Sequence, residues 1–148
     1  MESLPELTAY LRARPEILLA YLFGSVAAGR SHSLSDIDIA VLVNEAEFQV
    51  LDARMPWGYQ AFLSAELAGV LHRDDVDLVL LHCAPPLLGH QVVRFGTVLL
   101  SRDEEIRVSF EVRVHQDYLD TKYLREVQGG YLYKTIKQGR FGRPRAVP

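Results

Sequence analysis

Short runs of apolar residues are the feature of this 148-residue sequence that most constrains its fold. Each run is five to seven residues long, which is typical of a strand and short for a helix. Where a run is continuous, without polar residues at alternate positions, it predicts a strand that is covered on both faces of its sheet. The predicted strands are residues 17–23, 37–43, 76–81 and 97–101.

Segments with helical spacing separate these runs, because their apolar residues recur three and four positions apart. After residue 101 the signals conflict. Residues 107–115 alternate between polar and apolar, as a strand does, whereas a helical stripe continues to Val127. The absence of glycine between Gly96 and Gly129 favours a long C-terminal helix. The order of elements predicts an α/β or α+β domain, with a small mixed sheet of about four strands and flanking helices.

Composition and charge restrict the class of protein. Cys83 is the single cysteine, which excludes an internal disulfide and fits a reducing compartment. No apolar run approaches the roughly 20 residues of a membrane span, and the first residues do not resemble a signal peptide. We therefore expect a soluble, cytoplasmic protein that does not associate with a membrane.

The last twenty residues differ in charge from the rest of the chain. Residues 129–148 hold five basic residues and no acidic one, whereas residues 1–128 hold 11 basic and 19 acidic residues. We predict one domain over residues 1–128, including the N-terminal and C-terminal helices, followed by a basic tail over residues 129–148. Such a tail favours an acidic partner, either a protein or a nucleic acid, unless it is simply solvated.

Three aspartates stand where predicted strands begin. Asp36 and Asp38 are two positions apart, so their side chains project from the same face of a strand. Two carboxylates held this close repel each other, and at neutral pH they either share a proton or bind a cation. Mg2+ suits the site because it takes oxygen ligands and leaves positions open for substrate phosphates.

Asp77 leads into another apolar run, as Asp38 does. If the two strands are neighbours, three carboxylates lie together and can hold two ions that flank a phosphorus atom. Asp75 precedes Asp77 by two residues on the same face and is the alternative third acid. We favour Asp77 because it stands next to the apolar run.

A Gly-Ser pair ends the first predicted strand. Gly24 allows backbone N–H groups to approach a phosphate closely, and the hydroxyl of Ser25 adds a donor. Either feature alone is common in loops. Their combination with Asp-x-Asp after a spacer of ten residues is much less frequent by chance.

The sequence FGSVAAGRSHSLSDIDIAVLV, together with VDLVLL, resembles the minimal nucleotidyltransferases of the polymerase-beta-like superfamily. Their signature is Gly-Ser, a ten-residue spacer and Asp-x-Asp. The resemblance covers roughly residues 18–100 and implies the nucleotidyltransferase fold. It further implies that Asp36, Asp38 and Asp77 are catalytic residues that bind two Mg2+ ions. Gly24 and Ser25 would hold the triphosphate of ATP.

The sequence departs from the family pattern just after Gly-Ser. Family members commonly carry arginines there, as in Gly-Ser-Arg-Ala-Arg-Gly, whereas this chain has Val26 and Ala28. Arg30 is the expected replacement as a cation that binds the triphosphate. The departure leaves the acidic residues unchanged and concerns only the affinity for ATP and the rate.

The motif does not define the acceptor. Small stand-alone members resemble the antitoxins of HEPN/MNT toxin–antitoxin pairs, and this implies transfer of AMP to a tyrosine of a HEPN-type ribonuclease toxin. The chain is too short for a second domain that cradles a substrate, so a partner protein is expected to complete the site. The basic tail, with Tyr131 and Tyr133, is a candidate for docking on that partner or for accepting AMP itself.

Two alternatives stay open at this stage. One is transfer to a small molecule such as an aminoglycoside, with a homo-oligomer forming the site. The other is a non-catalytic protein that blocks the toxin by contact. Binding of nucleic acid through the basic tail is not favoured.

Overall fold

The computed structural model describes residues 4–27, 29 and 36–137. Within these residues, four strands form one mixed sheet in the order β3-β2-β1-β4. The strands are β1 (Ile17–Phe23), β2 (Ile37–Val43), β3 (Val76–Leu80) and β4 (Thr97–Ser101). β1 is antiparallel to both of its neighbours, β2 and β4, whereas β2 and β3 are parallel. The predicted α/β class and the number of strands are confirmed.

The described residues form seven helices around this sheet. They are α1 (Leu4–Arg12), α2 (Gly24–Ala27), α3 (Glu45–Arg54), α4 (Gly58–Leu71), α5 (Pro86–Phe95), α6 (Glu104–Asp120) and α7 (Lys122–Lys137). The parallel pair β2 and β3 needs a long crossover, and α3 and α4 provide it. Within the described ranges, no helix combines the length and the apolar character that crossing a bilayer requires.

Apolar side chains cover both faces of the sheet. On one face the fully buried helical residues come from α1 and α4, and they are Leu7, Leu11, Tyr59, Leu63 and Leu67. On the other face, Val92 of α5 and Phe110 and Val114 of α6 pack against Leu19 and Tyr21 of β1. The sheet is therefore the middle layer of three. This position explains why β1 and β2 read as continuous apolar runs.

The segment after β4 is helical, which resolves the conflict between the two sequence signals. The side chain of Asp103 caps α6, since its Oδ1 accepts hydrogen bonds from the backbone N of Glu105 at 2.7 Å and of Ile106 at 3.2 Å. The helix is interrupted at Thr121 and continues as α7 to Lys137. α7 thus runs across residue 129, where the basic tail was predicted to begin, and residues 138–148 lie outside the described ranges.

Arg102 connects the N-terminal helix to the sheet. Its guanidinium donates hydrogen bonds to the carbonyl oxygens of Ile17 at 2.6 Å, Arg12 at 2.8 Å and Arg14 at 2.7 Å. These carbonyls belong to the end of α1, the turn after it and the start of β1, and the carbonyl of Arg14 also accepts a hydrogen bond from the backbone N of Ile17 at 3.1 Å. One side chain therefore joins the helix, the turn and the strand.

We expect Arg102→Lys to lower the free energy of unfolding by about 1–3 kcal/mol, because an ammonium group cannot reproduce the planar fork of donors. Urea denaturation measures the effect. Arg54→Lys is the matched control, since no hydrogen bond joins the Arg54 side chain to another described residue. Equal stabilities of the two variants would contradict this role of Arg102.

Candidate active site

The Asp-x-Asp motif lies at the end of the sheet where β1 finishes and β2 begins. The antiparallel register of β1 and β2 places Phe23 opposite Asp38, and Gly24 follows Phe23 directly. The parallel register of β2 and β3 places Asp38 opposite Asp77. Strand pairing therefore brings together Gly24, Asp38 and Asp77, which are distant in the sequence.

Gly24 makes a very close approach to Asp38. A Cβ atom added at Gly24 would lie 1.9 Å from Oδ2 of Asp38, far inside van der Waals contact. Gly24 also has a φ of +73°, in the left-handed region that residues with a Cβ rarely adopt. Glycine is needed here both for the backbone conformation and for the space beside the carboxylate.

The three predicted acids lie close enough for the charges of Asp36 and Asp77 to act on Asp38. Asp38 is partly buried, whereas Asp36 and Asp77 are exposed. The pKa of Asp38 is raised, first by burial and then by the negative charges of Asp77 and Asp36. The ionised form of Asp38 is therefore disfavoured both by partial removal from water and by its acidic neighbours.

The donor set fits a hard divalent cation. Across residues 4–27, 29 and 36–137, no three Asp, Glu, His or Cys side chains are already arranged around one metal position. The acids present nevertheless offer oxygen ligands only, which is the chemistry that Mg2+ prefers. Burial first, and then the charges of Asp77 and Asp36, raise the pKa of Asp38, and a cation bound beside these carboxylates would favour their ionised forms.

Asp75, the alternative third acid, has a different partner. Nε of Arg73 donates to Oδ1 of Asp75 at 2.7 Å, and Nη2 of Arg73 bonds to Oδ2. This pairing lowers the pKa of Asp75. Arg73 also lies within the field of Asp36, whose charge contributes to raising the pKa of Arg73. The structure thus places Asp77 beside Asp38, whereas Asp75 is paired with the guanidinium group of Arg73 at the same end of the sheet.

Gln60 supports the strand that carries Asp77, and sequence reasoning did not identify it. Its Nε2 donates a hydrogen bond to the carbonyl oxygen of Leu78 at 2.9 Å. Because β3 is an edge strand, a side chain of α4 can reach its backbone. The sequence does not show whether a single glutamine on an amphipathic helix bonds to a neighbouring strand or is exposed to solvent.

The remaining predicted residues are placed only in part. Ser25 follows Gly24 in α2 and is partly buried. Arg30 and Ala28 lie outside the described residues. The assignment of Arg30 as a triphosphate-binding cation therefore stays a prediction.

Residues 5–105 match the family described as Polymerase beta, Nucleotidyltransferase. The matched region contains the Gly-Ser pair, the Asp-x-Asp motif and Asp77. It ends in the first turn of α6, so most of α6 and all of α7 lie beyond it.

Two curated proteins, both described as protein adenylyltransferase MntA, are similar to this chain. The protein from Shewanella oneidensis is 38% identical over 104 residues, which are 69% of this chain and 68% of the relative. The protein from Aphanizomenon flos-aquae is 31% identical over 103 residues, which are 68% of this chain and 67% of the relative.

Solved structures of toxin–antitoxin complexes contain chains with a similar fold. One complex, described as a toxin–antitoxin with AMP-PNP, matches with 30% identity and a TM-score of 0.71 over 88% of this chain and 98% of that chain. Another, of tri-AMPylated Shewanella oneidensis HEPN toxin with its MNT antitoxin, matches with 28% identity and a TM-score of 0.64 over 89% and 97%. These alignments cover more of the chain than residues 5–105 and so extend into the region of α6 and α7.

Proposed function

Because this chain belongs to the polymerase beta nucleotidyltransferase family, we propose that it transfers AMP from ATP to a tyrosine of a partner HEPN-type ribonuclease toxin and so acts as its antitoxin. That the chain is a nucleotidyltransferase follows from the family itself. The observation that carries catalysis by this chain is the register that sets Asp38 against Asp77, with Gly24 in close approach to the Asp38 carboxylate. This arrangement gathers carboxylates at one end of the sheet, as the binding of a metal-bound triphosphate requires.

The proposed reaction is a substitution at the α-phosphorus of ATP. The tyrosine oxygen forms a bond to that phosphorus, the bond from phosphorus to the oxygen shared with the β-phosphate breaks, and pyrophosphate leaves with the electron pair. A phenol with a pKa of about 10 loses its proton more readily than an aliphatic alcohol. We assign the proton to Asp77, because this carboxylate is exposed to an incoming acceptor while Asp38 is partly buried.

Each site residue has a proposed role in binding ATP. Asp36, Asp38 and Asp77 would hold Mg2+, which supplies neutralisation of the triphosphate and activation of the acceptor hydroxyl. Gly24 would let backbone N–H groups approach the phosphates, and the hydroxyl of Ser25 would donate a hydrogen bond to them. Arg73, held by Asp75 at this end of the sheet, adds positive charge for the leaving pyrophosphate.

The partner and the substrate are proposed from the similar complexes. A chain similar to this one occurs in a complex with AMP-PNP, which supports ATP as the donor. Another occurs in a complex with an AMPylated HEPN toxin, which supports a toxin as the acceptor. We place the reaction in the cytoplasm.

The assay that tests this function uses the purified chain, its HEPN toxin, Mg2+ and ATP labelled at the α-phosphate. We expect label on a toxin tyrosine, release of one pyrophosphate for each AMP transferred, and loss of transfer when EDTA removes the metal. Mass spectrometry of toxin peptides locates the label. Replacing the labelled tyrosine with phenylalanine is expected to remove it.

Three results would contradict the proposal in different ways. Label on an aminoglycoside instead of the toxin would indicate a small-molecule acceptor. Label on Tyr131 or Tyr133 of the chain itself would indicate self-modification. Toxin inhibition that survives Asp36→Ala combined with Asp38→Ala, without any transfer, would indicate inhibition by contact.

A further inference from the structure

We infer that the outward side of α6 and α7 is the surface on which the partner toxin docks, an inference that rests on the proposed function. We call this surface the outer stripe. It consists of Val108, Val112, Leu119, Tyr123 and Val127. Its position beyond the family match separates it from the residues assigned to catalysis.

α6 is apolar on two opposite sides. Phe110 and Val114, four residues apart, are buried against the sheet. Val108 and Val112, also four residues apart, are 48% and 51% exposed. Residues two positions apart on a helix are separated by roughly 200°, so these pairs face in opposite directions. A helix that only covers a sheet needs one apolar side and carries polar residues on the other. The second apolar side therefore indicates a second contact.

α7 is held by few contacts within the described residues, chiefly those of Arg125 with Tyr118 and Thr121 and the ion pair of Lys122 with Glu126. None of its described side chains is buried, and its neighbour in the structure is α6. Gly129 and Gly130 lie within it with open space around both, and glycine disfavours a helix by about 1 kcal/mol relative to alanine. An isolated helix of 16 residues is marginal in water even with a favourable composition. Packing of a partner on Tyr123 and Val127 would supply the missing stabilisation.

The two helices that bear the outer stripe differ in charge, because α6 holds five acidic and two basic residues and α7 has the opposite balance. α7 carries four basic residues and one acidic residue, namely Lys122, Arg125, Lys134, Lys137 and Glu126. Two copies that packed α7 on α7 would bring like charges together, which is unfavourable. A toxin with an apolar groove whose rim is acidic beside α7 and basic beside α6 complements the whole outer stripe.

The extent of the similarities supports the same occupant. The match to the catalytic family ends at residue 105, at the start of α6. The similarity to chains from toxin–antitoxin complexes continues beyond that point. The helical region that bears the outer stripe is therefore shared with chains that have a toxin partner, and the catalytic domain alone does not account for it.

Three valine substitutions test the inference. Val112→Asp and Val127→Asp each place a charge on the outer stripe. Val50→Asp is the matched control, since Val50 is 49% exposed on α3 and lies on another surface. In calorimetric titrations with the HEPN toxin, we expect the Kd to rise by about tenfold or more for both stripe variants. For the control we expect it to change by no more than about twofold. All three should retain the parent melting temperature within a few degrees, because the replaced side chains are half exposed.

Kinetics of AMP transfer separate docking from catalysis. We expect the stripe variants to show a higher KM for the toxin and an unchanged kcat at saturating toxin. If the unmodified chain neither binds nor modifies the toxin, the proposed function itself fails. If it modifies the toxin and both stripe variants bind with the parent affinity, only the docking surface is wrong. A dimer in light scattering that the stripe variants dissociate, with toxin affinity unchanged, would assign the surface to a second copy and overturn the inference.

Discussion

Replacing Asp38 with asparagine is expected to reduce AMP transfer by about 10³-fold or more while leaving the fold intact. Asp38 is paired with Asp77 on the neighbouring strand, and Gly24 lies against its carboxylate, so Asp38 has the central position among the three acids. Asparagine keeps the shape and removes the charge that binding of a cation requires. Because Asp38 is partly buried beside two like charges, a neutral side chain should not lower the melting temperature.

The measurement is the initial rate of label transfer from ATP to the toxin, together with thermal denaturation of each variant. Asp74→Asn is the matched control, since Asp74 is an exposed acid in the turn before β3 and is outside the cluster. We expect it to retain the parent rate within about twofold. Transfer at the parent rate by Asp38→Asn would show that the catalytic acids lie elsewhere.

The central strands were predictable because burial leaves a strong local pattern. β1 and β2 have the bounds that their apolar runs predict, at Ile17–Phe23 and Ile37–Val43. Both lie in the middle of the sheet and are covered by helices on both faces, so nearly every residue is apolar. A pattern of this kind needs no knowledge of the neighbouring strands.

The proximity of Asp38 and Asp77 could be predicted only on the condition that their two strands are neighbours in the sheet. That Asp77 lies beside Asp38 depends on the parallel pairing of β2 with β3, which no local signal specifies. The choice between Asp75 and Asp77 was also open, because residues two apart on a strand share a face. The pairing of Arg73 with Asp75 separates them, and it is a contact that only the folded chain reveals.

Two further features were hidden for different reasons. The alternation in residues 107–115 has the period of a strand, yet here it belongs to a helix with two apolar sides, Val108 and Val112 outward and Phe110 and Val114 inward. Arg102 bonds to carbonyls that are more than 80 residues away in the sequence. A contact over such a separation leaves no periodicity, and the sequence of one chain cannot reveal it.

Gly24→Ala is expected to impair both stability and transfer, through the same close approach that organises the site. The added methyl group cannot remain 1.9 Å from Oδ2 of Asp38, so either the carboxylate turns away or the start of α2 moves. The positive φ adds about 1–2 kcal/mol of strain for a residue with a Cβ. We expect the free energy of unfolding to fall by about 2–3 kcal/mol and the rate of transfer to fall by about 10²-fold or more, since small misplacements of catalytic groups have large effects.

Gly58→Ala distinguishes damage to the site from damage to the fold. Gly58 also has a positive φ, of +80°, and an added Cβ would lie 2.9 Å from Oδ1 of Asp52, a carboxylate that takes no part in the proposed site. This variant should lose stability for the same two reasons and retain the rate of transfer below its melting temperature. If Gly24→Ala and Gly58→Ala lose the rate equally, the effect on transfer arises from instability. Combining Gly24→Ala with Asp38→Asn should lower the rate no further than Asp38→Asn alone, because both changes act through one carboxylate.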